Sequence, residues 1–122
     1  PLLMLRDQPG AIVAYKLVNQ KGEGPYNGGI IYEVGSDVSA DNADCDETLQ
    51  CGAGINLATL DWCLKEWSDG YRVLRCEFTA ADIAAIPTAT DGKFRVHRCK
   101  VVGEVNLEAI GWPPALEGED DV

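Results

Sequence analysis

The stretch from Cys51 to Val102 constrains the fold most, because chain breakers and apolar patterns follow one another there with little slack. Gly52 and Gly54 lead through Ile55-Asn56-Leu57-Ala58 into a helix whose Leu60, Cys63, Leu64 and Trp67 fall at i, i+3, i+4 and i+7. Thr59, or Asn56 a turn earlier, suits the N-cap, and Asp61 suits the positive end of the helix. Lys65 and Glu66 should face water, and Ser68-Asp69-Gly70 should stop the helix through a left-handed glycine. Tyr71–Phe78 reads as a strand. Thr79-Ala80-Ala81-Asp82 has the form of a capping box, opening a helical turn or two through Ile83 and Ile86 until Pro87. Asp91-Gly92 is a turn dipeptide, and Phe94–Val102 reads as the last clear strand.

The flanks are simpler. Pro9-Gly10 is a turn, and Ala11–Val18 has the β-branched and aromatic content of a strand. The glycine-rich run Asn19–Gly29 matches neither dinucleotide nor Walker spacing and precedes a strand-like run, Ile30–Val34, so it reads as a turn. Ser36–Gln50 is acidic. Counted from Asp37, its sixth residue is Asn42 and its twelfth Thr48, which breaks the EF-hand register. A solvated loop over residues 37–47 is expected, with loose calcium binding as the alternative. Pro113-Pro114 ends the ordered pattern. The expectation is one domain over residues 1–112 and an acidic, mobile tail over 113–122. Four strands in pairs around one main helix and one short helical turn give an α+β fold with a small, mostly antiparallel sheet.

A formal charge of −10, from 20 acidic and 10 basic residues, opposes binding to nucleic acid and suits a protein partner. The five cysteines cannot all pair internally, and none forms C-x-x-C. Cys63, Cys76 and Cys99 read as small buried hydrophobes, leaving Cys45–Cys51 as the pairing to check. Pro1-Leu2-Leu3-Met4-Leu5 is too soon interrupted by Arg6 and Asp7 for a signal peptide. Neither cofactor nor metal is expected.

His97, the single histidine, allows no two-imidazole site. Read mid-strand, it shares a face with Cys99, about 7 Å along the chain and too far for a direct hydrogen bond. Lys93, Arg95, His97, Arg98 and Lys100 form a basic stripe, which Arg72 and Arg75 could extend from a neighbouring strand. Together with Asn56 they are the candidate ligand or partner patch. The competing reading pairs them across strands with Glu77, Asp82 or the acidic loop. Were the patch to take nucleic acid, Tyr71 and Phe94 would be its stacking residues. Trp62, Trp67 and Trp112 read as core or lid aromatics, with Trp67 on the apolar helix face and Trp62 near its edge.

Tyr15-Lys16, Gly29–Gly35 with its Tyr-Glu-Val-Gly end, the Cys51–Ala58 approach to the helix, Asp91–Val96 and Cys99–Glu104 occur in a telling order. The order resembles a family of uncharacterised domains in phage and prophage proteins, some of them ahead of pentapeptide repeats. The resemblance spans Tyr15 to Leu107 and implies a phage-type setting, in the host cytoplasm or virion-associated, without implying a mechanism. A second likeness is to ADP-ribosyltransferase-like folds, where Gly54–Ala58 would stand at the Gly-x-His motif. Asn56 would replace the histidine, and Glu77 or Glu104 would be the late glutamate. The apolar start after Pro1 is similar to tautomerases that use a proline amine as base, but Pro9-Gly10 stands where their helix would follow. The leading expectation is a non-enzymatic interaction or structural module that binds a protein or self-assembles. The alternatives are an NAD- or nucleotide-binding enzyme and an anti-host protein that sequesters a basic factor.

Overall fold

The computed structural model describes residues 2–7, 9–24, 30–40, 54–87 and 92–113. It contains strands β1 (Ala11–Val18), β2 (Asp37–Ser39), β3 (Ile55–Ala58), β4 (Arg72–Thr79), β5 (Ile83–Ala85), β6 (Lys93–Val96) and β7 (Arg98–Glu104). One α-helix, α1 (Leu60–Glu66), and 3-10 turns at Leu2–Asp7, Ala80–Asp82 and Glu108–Ile110 complete the described elements. Every strand pairing is antiparallel, in one sheet of order β2-β7-β4-β1-β3-β6-β5. The α+β expectation holds coarsely, with a sheet that dominates and seven strands where four were expected.

Connectivity forces this sheet to curl. In the sheet, β7 and β6 are four steps apart, which in a flat sheet is about 19 Å at roughly 4.8 Å per step. Yet His97 alone joins them, and two residues of chain reach at most about 7 Å. The strands must therefore wrap until the two regions meet, and one apolar core collects side chains from all seven, including Ile12, Val38, Leu57, Phe78, Ile83, Phe94 and Val101. His97 is the corner. Its N–H donates to the Asp82 carbonyl at 2.7 Å, and its carbonyl accepts from Ala40 N–H at 2.8 Å, so chain next to both outer strands is tied to one residue. A second cluster, Leu17, Ala58, Trp62, Cys63, Val73 and Val105, packs α1 on the opposite side of β1 and β4.

Strand β1 and the following β4 match the sequence reading closely, but other elements differ. Ile30–Val34 makes only the Glu23↔Ile31 bridge before the chain turns through Glu33–Ser36 at Gly35, where φ is +91°. The strand lies instead at Asp37–Ser39, inside the expected acidic loop; residues 41–50 of that loop, with Cys45, lie outside the described residues, as do Cys51, Asp91 and residues 114–122 of the tail. Residues 55–58 form β3, not a helix lead-in, because they are claimed by antiparallel pairing with β6. Thr59 is the cap, its Oγ1 accepting from Trp62 N–H at 3.2 Å. Trp62 and Cys63 fill the core, whereas Trp67 ends the helix in an extended conformation and donates its Nε1–H to the Tyr71 carbonyl. Asp82 caps as expected, accepting from Thr79 N–H and Oγ1–H, but the turn stops there and Ile83–Ala85 pairs with β6. Phe94–Val102 is not one strand but two, broken at His97.

Candidate functional site

The corner divides the expected basic stripe. In β6, Lys93 and Arg95 are buried, Arg95 completely, and Asn56 opposite Arg95 in β3 is buried as well. The Lys93 ammonium lies 5.5 Å from the Trp62 ring centroid, a cation–π contact. These three residues belong to the packed interior and line no open surface. His97, Arg98 and Lys100 are exposed. Because His97 is at a bend, it and the buried Cys99 do not share a face, which removes the His97/Cys99 pair considered above. Phe94 is buried and offers no stacking surface.

The exposed half does assemble a site. On the outer side of β1, β4, β7 and β2, register lines up Val13, Glu77, Lys100 and Asp37 in one cross-strand row. Ala11 stands opposite Thr79, and Ser39 opposite Arg98. A groove of about 470 Å³ runs beside these residues, bordered by Asp37, Ser39, Glu77, Thr79, Arg98 and Lys100. Its end is fixed by Arg98, whose Nε–H donates to Asp82 Oδ1 at 2.8 Å. Burial opposes ionisation of Asp82, but the Arg98 and Thr79 hydrogen bonds outweigh it and hold the carboxyl below its usual range. The competing cross-strand reading thus holds for Arg98. Asp37 and Ser39 escaped the sequence reading as site residues because β2 was assigned to a loop, and Thr79 was read only as a cap. The alternation of polar Asp37, apolar Val38 and polar Ser39 was the available signal.

A second arrangement lies in the core. Lys16 alternates with Ile12, Ala14 and Val18 and therefore points inward, where it is 5% exposed. Its ammonium donates to the Asn56 carbonyl at 2.8 Å and sits 5.0 Å from the Tyr32 ring centroid. Gly24 leaves it room, since a Cβ there would come within 2.8 Å of Nζ. Burial lowers the Lys16 pKa from 10.5 to about 8. Burial also raises Tyr32, and it pushes the Cys63 thiol on α1 up to about 12. Cys76 on β4 and Cys99 on β7 belong to the same core, where the interaction between the two thiols shifts Cys76 up and Cys99 down.

The space beside Lys16 and Asn56 is only about 10 Å³, room for one water at most. Asn56 thus sits in a packed strand, without the several hundred Å³ that a nucleotide occupies. Among the described residues, no group of three or more His, Cys, Asp or Glu is placed to hold a metal ion, and no helix is long and apolar enough to cross a membrane. Comparison with protein families, with curated proteins and with solved structures finds no match for this chain.

Proposed function

We propose that this chain is a non-enzymatic, phage-type interaction module that binds a protein through the outer face of β2, β7, β4 and β1. The observation that carries this reading is the groove on that face, where the Asp37 and Glu77 carboxylates flank the Lys100 ammonium in a cross-strand row that ends at the exposed Val13. A mixed row of this kind favours an extended protein segment with both charge signs over a polyanion. Helix α1 covers the sheet only at the Leu17, Val73 and Val105 end, so it leaves the row open.

The test is site-specific photo-crosslinking from position 100 in a bacterial host extract, with position 108 as a control on the far 3-10 turn. The expected result is one discrete partner, or a second copy of the chain, captured from position 100 and not from 108. The double variant V13R/D37R should abolish capture while its melting temperature stays within about 2 °C of wild type. Equal capture from both positions, or capture that survives V13R/D37R, overturns the reading. A thermal shift with NAD or a nucleotide would turn the assignment to an enzyme.

A further inference from the structure

We propose that the open edge of β2 accepts an added strand: an extended, basic segment of a partner protein pairs antiparallel with Asp37–Ser39 and continues the sheet. The proposal rests on the docking reading above and names how the partner is held. Backbone bonding decides which way β2 points its polar groups. Val101 N–H donates to the Ser36 carbonyl at 2.9 Å, and Ala40 N–H donates to the His97 carbonyl at 2.8 Å. Between them Val38 stands opposite Cys99. Bonded and non-bonded pairs alternate in an antiparallel ladder, so Ser36, Val38 and Ala40 are the residues that bond to β7 and its corner. The N–H and C=O groups of Asp37 and Ser39 therefore point away from β7. Strand β2 ends the sheet order, and among the described residues no strand lies beyond it. Asp37 and Ser39 are exposed, and both border the groove.

The same register gives the chemistry of the occupant. An added antiparallel strand exchanges an N–H and a C=O bond with Asp37 and again with Ser39, and residues that stand opposite each other share a side of the sheet. The residue opposite Asp37 extends the row Glu77-Lys100-Asp37 on the outer face, where the alternation of charge selects a lysine or arginine. The residue opposite Val38 lies on the core side, where an apolar group fits. An edge carboxylate repels an acidic strand, and a second copy of a chain of formal charge −10 is disfavoured on the same ground. The occupant is thus a segment of another protein in which a basic residue is next to an apolar one.

The probe is a short synthetic peptide that repeats lysine-valine-threonine-valine, added to the full chain. Amide hydrogen exchange followed by NMR should slow at least about tenfold at Asp37 and Ser39 on saturation. Val38, whose N–H already faces β7, should change little. The same peptide with glutamate for lysine should bind weakly, and D37K should reverse that preference. Methylating the lysine and threonine amide nitrogens, which face β2, should weaken binding about tenfold, as should S39P. Proline at position 39 removes an N–H that β7 does not use, so S39P should melt within about 2 °C of wild type. Unchanged exchange at Asp37 and Ser39 with peptide bound, or equal binding by the methylated peptide, overturns the proposal. Protection that grows with protein concentration alone overturns it in favour of a second copy. Capture from position 100 that persists in S39P leaves the docking reading standing and overturns strand addition alone.

Discussion

Strands β6 and β7 are one continuous run of similar composition, parted by His97, yet they carry opposite environments. In β6 all four residues are buried, including Lys93 and Arg95, so both faces of the strand are covered. In β7 the pattern alternates, with Arg98 and Lys100 outward and Cys99 and Val101 inward. A cation on β6 is a structural element, whereas a cation on β7 is available to a partner. The difference teaches that charge spacing along a strand says nothing about exposure until the strand's neighbours are known.

This contrast is broken or sharpened by three substitutions. The largest effect is expected for Arg95→Ala, which empties a completely buried site and strands whatever the guanidinium contacts. Urea unfolding should show a loss of about 3–5 kcal/mol, and a loss under about 1 kcal/mol would make β6 no different from a surface strand. Next is Lys16→Met, which should raise stability near pH 7 by about 1–3 kcal/mol as desolvation of the ammonium is relieved. It also has a pH signature. Folded Lys16 loses its proton near pH 8 and the unfolded residue near 10.5, so the unfolded chain holds more protons between those values and wild-type stability rises with pH there. Cys63 acts oppositely above pH 9, where its thiol ionises when unfolded but stays protonated to about 12 when folded. Wild type should therefore gain stability from pH 8 to 9 and then flatten or fall, while K16M shows only the fall. A K16M profile that still rises between pH 8 and 9 would sink this account of Lys16. The smallest effect is expected for Lys100→Ala, within about 0.5 kcal/mol by the same urea measurement. A larger loss would mean that the Glu77-Lys100-Asp37 row holds the fold together and is not spare for binding.

Local signals carried β1, β4, the Thr59 cap and the Asp82 cap into the sequence reading, because each rests on residues close in the chain. They failed where pairing overrode pattern. Ile30–Val34 had strand composition but only one bridge, and Asp37–Ser39 looked like a loop but found β7. Gly92 belongs to both kinds. Its place in a turn was legible, but its role against the helix cap was not: Thr59 N–H donates to its carbonyl at 3.0 Å, and a Cβ there would come within 2.8 Å of Thr59 Oγ1. Of the six candidate site residues, Arg98 and Lys100 border the groove, His97 is exposed at the corner, and the other three are interior.

By itself, the sequence determined the coarse α+β class and the helix at Leu60–Glu66 with its Thr59 cap, since these follow from pattern and from contacts within a few residues. Only the tertiary structure decided that the sheet curls and that Lys16 and Arg95 are buried. Those outcomes depend on which strands become neighbours, and a one-residue corner at His97 sets that by joining regions that a flat sheet would hold far apart.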